Sequence, residues 1–398
     1  MPTRPPKTGP GQRPSRRSPY MPNALRRLAL GTLTAALLAA APMASARAPE
    51  LTATRKVDTG SEPKAVVVSP DGKTLVVTNF GQWGKHNLYW YEPTTLKRIG
   101  ETDFGKDGNA VEAVFSPDSK TVYVSNFNQN KIEIIDVATR SIVKELDVGL
   151  RPKIVILSAD GSKLVVANWD SFAATIYDTK NWSQSFKLKV NEHPRGMAIT
   201  RSGKLYVAGF EGEELDVYDG PKYEHHQKLK ACKHVRHMSL SPDEKTLYLS
   251  CYFFGQLGVW DVQTDKMQRL VQIGQEPKSS AVSKDGRWVF VANFGKPDES
   301  TISVVDTLDW KQRYVRVPGM DQGCGLALSP DQKTVWVTGW TSKTLHAIDV
   351  GPLGIGEAKE DKSIARSLPK GDPAPVSEAP IEKVRSLDLP DGDAPLER

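Results

Sequence analysis

The chain has 398 residues, 25% of them charged and 39% hydrophobic, with a formal charge of +6. Residues 1–46 hold seven Lys/Arg and no acid, so the rest of the chain stands near neutrality at −1. Bulk charge therefore gives no ground for reading a nucleic-acid binder.

The first segment reads as a leader rather than part of a fold. Arg26 and Arg27 precede an apolar run, Leu28 to Ala41, and Ala44-Ser45-Ala46 supplies a small-x-small cleavage pattern. Residues 1–46 are expected to be a signal peptide, with Met21 a second candidate start and a periplasmic or secreted mature chain. The run is too short to span a bilayer once its small-residue exit is counted, so no transmembrane segment is expected after cleavage.

From residue 47 to 350 one phrase returns: an apolar strand, a Ser-Pro-Asp-Gly-type turn, and a second strand followed by an aromatic. The turns begin at Ser69, Ser116, Ser158, Thr200, Ser241, Ser283 and Ser329, spaced 47, 42, 42, 41, 42 and 46 apart. A period of roughly 40–45 residues with four short strands per unit marks propeller blades. In the second repeat these are Val111 to Phe115, Thr121 to Asn126, Lys131 to Asp136 and Ser141 to Leu146, read as strands a, b, c and d. The seventh repeat stops after strand c, whereas Arg55 to Lys64 matches Lys144 to Lys153, a strand d with its exit loop. The expected fold is all-β: a seven-bladed β-propeller of four-stranded antiparallel blades, closed by an N-terminal strand that completes the last blade. Residues 351–398 hold seven prolines and no aromatic, and are expected to form a disordered tail.

Cys232 lies just before strand a of the fifth blade, and Cys251 ends its strand b. Antiparallel pairing brings these ends together, so a Cys232–Cys251 bridge is geometrically reasonable, with buried free thiols the alternative. Cys324 is left over. There is no Cys-x-x-Cys-His, which excludes covalent c-type haem.

Val76-Val77-Thr78-Asn79, Val122-Tyr123-Val124-Ser125-Asn126 and Val289-Phe290-Val291-Ala292-Asn293 resemble the core of the YVTN-type β-propeller repeat. The last two are followed by strands ending in Ile135-Asp136 and Val305-Asp306, as that repeat has it; the first departs, ending in Tyr91-Glu92. The resemblance covers about residues 50–350 and implies an exported seven-bladed propeller, a family that includes DNA-binding members. A more distant similarity is to lactonase-type propellers.

Candidate site residues follow from the repeat. Five positions before each turn stand Lys64, Val111, Lys153, Arg195, Arg236, Lys278 and Cys324, so five of seven are cations where strand a enters the channel. Each strand b is followed by an aromatic: Phe80, Phe127, Trp169, Phe210, Tyr252, Phe294 and Trp340. The plain reading is a repeat habit, with cations paired or snorkelling into water and rings wedged between blades. The functional reading is a cationic–aromatic funnel mouth for nucleic acid, an acidic glycan or an acidic protein segment. The acids ending each strand c (such as Asp136 and Asp261) are explained by turn hydrogen bonds. His193 and His237, with Glu112 across the channel, could contact ligand or work as acid and base; their spacing gives no metal motif.

No Walker loop, Gly-x-Ser-x-Gly, Rossmann or zincin motif occurs, and no nucleophile–base pair is readable. The leading expectation is a monomeric, non-catalytic binder with no cofactor. The alternatives are a lactonase-like hydrolase of an anionic sugar lactone, using His193, His237 and Glu112, and a protein-interaction scaffold.

Overall fold

The structure is a computed structural model that describes residues 51–295 and 301–355. The leader 1–46 and the tail beyond 355 lie outside the described residues. Among the described residues there is no α-helix, only three single-turn 3-10 segments, and no helix long and apolar enough to cross a membrane.

Seven four-stranded antiparallel sheets form the seven blades. Their inner strands are Pro63–Val68, Ala110–Phe115, Pro152–Leu157, Pro194–Ile199, Val235–Leu240, Pro277–Val282 and Gly323–Leu328. Each lies beside the next, and that of blade seven lies beside that of blade one. Strands b and c are largely buried and mostly apolar, strand a is buried at its first half and carries the recurring cation there, and the outer strands carry the exposed Lys and Arg. In the last sheet the fourth strand is Thr52–Asp58, which pairs antiparallel with Thr344–Asp349, Thr52 opposite Asp349 and Asp58 opposite Thr344.

The core is divided among the blade interfaces rather than gathered at the centre. Val66, Leu75 and Tyr91 of blade one pack on Trp336, Leu345 and Ala347 of blade seven. Val76 and Trp90 pack on Val122 and Val124 of blade two, and the pattern continues round the ring. Each such large buried side chain contributes roughly 1.5–3 kcal/mol, so the ring is held by many comparable seams. The chain continues in this core past residue 350: Gly351–Leu353 makes a 3-10 turn, and Leu353 and Ile355 are buried with Val350. The propeller thus extends to residue 355, five residues beyond the boundary expected from proline content.

The turn signature has one physical cause in every blade. In six blades the Ser hydroxyl donates to the Asp two residues on and accepts a backbone N–H at the start of strand b; in blade four Thr200 Oγ1 shares a hydrogen bond with Ser202 Oγ at 2.8 Å and accepts the Lys204 N–H at 3.0 Å. Ser116 Oγ donates to Asp118 at 2.6 Å and accepts from Thr121 N–H at 3.0 Å, and Ser241 does the same with Asp243 and Thr246. These turns lie on the face opposite the d–a and b–c loops.

Candidate functional site

Two repeated backbone devices aim the residues at the channel mouth. Each strand a breaks register with strand b at the same place, between Pro63 and Val66 in blade one and between Ala110 and Ala113 in blade two. The same break recurs in the other five blades. The cation and its successor occupy this bulge, and bulges re-aim side chains. The second device is a hydrogen bond from each ring aromatic's N–H to the carbonyl three residues before its blade's second bulge residue. Phe80 donates to Glu62, Phe127 to Asn109, Trp169 to Arg151 and Phe210 to His193, at 2.9–3.0 Å. Tyr252, Phe294 and Trp340 donate likewise to His234, Glu276 and Gln322. Six of these seven acceptors are non-glycine residues at positive φ, Glu62, Arg151, His193, His234, Glu276 and Gln322, a conformation such residues seldom adopt.

The cations do not reach into open water. Lys64, Lys153, Arg195, Arg236 and Lys278 are 0–4% exposed. The aromatics Phe127, Trp169, Phe210, Phe294 and Trp340 are 5–8% exposed, whereas Phe80 and Tyr252 are half-buried, so the mouth presents two partly open rings rather than seven. Cations and rings interleave: Lys64 Nζ sits 4.5 Å from Phe80 and 5.4 Å from Trp340, and Arg236 5.2 Å from Phe210 and 5.7 Å from Tyr252. Five neighbouring ring pairs lie 5.8–6.3 Å apart: Phe80–Phe127, Phe80–Trp340, Trp169–Phe210, Phe210–Tyr252 and Phe294–Trp340. Between the remaining neighbours stands a lysine. Lys153 lies 3.4 Å from Trp169 and 5.5 Å from Phe127; Lys278 lies 3.6 Å from Phe294 and 5.8 Å from Tyr252. The belt is thus a cation–π ring, worth more per contact when desolvated. Cys324, at the seventh position, packs against Phe294 and Trp340.

Below the belt, on the side of the a–b turns, Glu112, Arg195 and His237 line one axial cavity of about 160 Å³ together with Ile154, Ile156 and Met238. Burial pushes the Glu112 carboxyl up to about 7, although Arg195, the Ala113 N–H, Lys64 and Arg236 all pull it down. Burial, with Arg195 nearby, holds the His237 ring down at about 4, so it is neutral near pH 7. The Ser280 N–H donates to His237 Nδ1 at 3.3 Å, which leaves the proton of the neutral ring on Nε2.

His193 is not part of this group. Its ring stacks on Trp169 at 4.6 Å, and its Nδ1 meets Glu211 at 2.9 Å on the loop face. His226, on the exposed outer strand of blade four, stacks on Tyr218 at 4.2 Å and meets the buried Asp216 at 2.8 Å. Cys232 and Cys251 form a disulfide, Cα–Cα 5.7 Å, and Cys324 is a buried free thiol. His86, Glu101 and Asp103 gather their ligand atoms on the loop side of blade one, but two of the three are exposed.

Fold and mouth together define the class, a seven-bladed β-propeller. The sequence model of a domain of unknown function (DUF7165) matches residues 105–252, and that of the cytochrome D1 heme domain matches residues 203–323. Neither covers half of the chain. Among solved structures, Kuenenia stuttgartiensis hydrazine synthase is similar over 74% of this chain and 97% of that chain, with 18% identity and a TM-score of 0.63, a likeness of fold. No curated protein matches. One of the two models names the cytochrome D1 heme domain and neither names the YVTN repeat; with the hydrazine synthase likeness they support a seven-bladed β-propeller.

Proposed function

We propose that this is an exported binding propeller that takes a small anion, such as a carboxylate or phosphate, in its axial cavity. One observation carries the reading: Arg195, neutral His237 and Glu112 converge on a single cavity under a ring of five buried cations. Converging positive charge with low-dielectric walls focuses an attractive field on that space. Arg195 offers a charge-assisted donor and His237 Nε2–H a neutral one, while Glu112 accepts an anion readily only when protonated. At about 160 Å³ the cavity is smaller than the roughly 300–1,000 Å³ of ordinary ligand sites, which favours a small anion over a polymer threading the channel.

A haem, as named by one matching family, does not fit this cavity: it is too small for a porphyrin, and with His237 Nδ1 accepting the Ser280 N–H the proton on Nε2 leaves no lone pair for an iron. No step is derived through that group. A hydrolytic reading keeps one supporting observation, that Glu112 and His237 share the cavity with Arg195, a carboxyl near neutrality being suited to acid–base work. Turnover of any member of a lactone panel, lost in His237→Ala, would raise it above simple binding.

Calorimetric titration of the mature protein with phosphate, sulfate, acetate and citrate tests the proposal. At least one should bind saturably, more weakly in Arg195→Gln and more tightly in Glu112→Gln at pH 8. Two substitutions with opposite expected signs separate a binding effect from damaged folding. Silence from all four anions, or equal affinity in both variants, would remove the reading.

A further inference from the structure

Blade one differs from its neighbours on the loop face. The spacing from Ser69 to Ser116 is 47 residues, against 42 for the next repeat. Its b–c connection spans residues 80–87 where blade two needs only 127–130, and its exit loop spans 103–109 where blade two needs 148–151. Insertions in repeat proteins collect on one face, often the binding face. These two loops are braced against each other. Buried Asn87 donates to the carbonyls of Gln82 and Gly108, at 2.8 and 2.9 Å, and accepts the Phe104 N–H at 2.8 Å. The Gly84 N–H donates to the Gly108 carbonyl at 2.8 Å, and a Cβ at Gly84, whose φ is +80°, would sit 2.9 Å from the Gly105 carbonyl.

The braced loop presents Trp83 at 60% exposure. Trp83 forms one wall of a groove of about 500 Å³, whose polar lining is Asp107, Asn128, Asn130, Arg151 and Asp170. The volume lies within the roughly 300–1,000 Å³ of ligand sites. Leu150, 54% exposed, adds a second apolar surface. Groove charge differs from that of the channel. Arg151 Nε pairs with Asp170 at 3.1 Å, so Asp107 leaves the lining net negative. An acidic polymer would be repelled here.

An exposed indole beside planar amide and carboxylate groups suits a pyranose, whose C–H face lies on a ring while its hydroxyls both donate and accept. Asn130 lines the groove with its Oδ1 accepting the Arg151 N–H at 2.8 Å, so what its amide has left to offer a ligand is its N–H donors. We propose that this groove is a binding site for a neutral oligosaccharide, separate from the axial anion site and built by the insertions of blade one.

Calorimetry of the mature protein with chitotetraose, cellotetraose and maltotetraose tests it, with a hyaluronan tetrasaccharide as the acidic arm. At least one neutral sugar should bind saturably, with affinity falling about tenfold or more in Trp83→Ala and less in Asn128→Ala. Both substitutions are at exposed positions, and unchanged thermal unfolding would confirm that the fold is intact. Arg195→Gln should leave sugar binding unaltered, so failure of the anion reading and failure of this one are distinguishable. No saturation by any neutral sugar, binding that survives Trp83→Ala, or binding of the acidic sugar alone would overturn the proposal.

Discussion

Cys232 and Cys251 stand where other blades place a glycine and an asparagine. In blade one the Gly60 N–H donates to Asn79 Oδ1 at 3.0 Å, tying the exit loop of strand d to the end of strand b. Gly149 with Asn168 and Gly274 with Asn293 repeat the close approach at the same separation of 19 residues, the Gly274 N–H donating instead to Ser303 Oγ at 3.1 Å, and a Cβ on any of these glycines would overlap the amide. Blade four exchanges the partners, Asn191 lying against Gly209. The disulfide is therefore a covalent version of a repeat clamp. Its removal by Cys232→Ser with Cys251→Ser should cost about 3 kcal/mol in urea unfolding. Cys232→Gly with Cys251→Asn should recover part of that and be insensitive to reductant; equal stability of the two double variants would deny the equivalence. Glu112 yields a pH prediction at the same scale. Its folded-state pKa of about 7 lies above the ordinary 4.5, so the folded protein prefers the protonated form and loses that stabilisation as pH rises from about 4.5 through 7. Anion affinity should fall over the upper part of the same range, between pH 6 and 8, and Glu112→Gln should flatten it. A slope that persists in Glu112→Gln would assign the effect to another group. The sequence placed cations and rings at fixed offsets from each turn. It could not show that both lie buried against one another, because that depends on how adjacent blades pack, and His193 and His237 separate for the same reason.

At the element scale the bulged inner strand matters most, because seven register breaks in equivalent places convert a repeat into a ring of inward-aimed residues. Strand number and order were legible from turn spacing and alternation, and the pairing of Thr52–Asp58 with Thr344–Asp349 followed from a missing strand d at one end and an orphan one at the other. The bulges were not legible, since an apolar strand reads the same with or without a register shift. Thr52–Asp58 is largely exposed, with Val57 half-buried, so it holds mainly through its ladder. Strand Thr344–Asp349 beneath it is almost wholly buried and would become an open edge without it. Deleting residues 49–58 should cost on the order of 5 kcal/mol and promote aggregation. Deleting residues 358–398 should shift thermal unfolding by no more than a degree or two. Equal sensitivity to the two truncations would show that the first strand is dispensable.

For the whole molecule, the blade interfaces are nearly interchangeable: each is an apolar seam of similar make-up, and no single centre holds the ring. Both proposed sites lie where that equivalence breaks, at Glu112 and His237 in positions that other blades fill with Ala65, Gly196 or Ser279, and at the enlarged loops of blade one. If stability resides in seams rather than in chain order, the position of the termini should be almost immaterial. Thr52 and Asp349 are register partners, and Leu51 and Ile355 beyond them share one buried cluster, so a flexible linker from Ile355 to Leu51 can join strand c to strand d while keeping Val350, Leu353 and Ile355 in the core. New ends can then be opened at the c–d turn of blade two, between Ala138 and Thr139, in an exposed loop of the kind that tolerates permutation. Every strand keeps its partners in this permutant, with blade two now assembled from both ends of the chain. Its thermal midpoint should stay within a few degrees of the parent. Anion binding should also be retained, because Glu112, Arg195 and His237 lie on inner strands that the new ends do not touch. A permutant that folds but no longer binds would show that the axial site depends on chain order rather than on the ring, and one that fails to fold would place the decisive contacts in the original joint between Thr52–Asp58 and Thr344–Asp349.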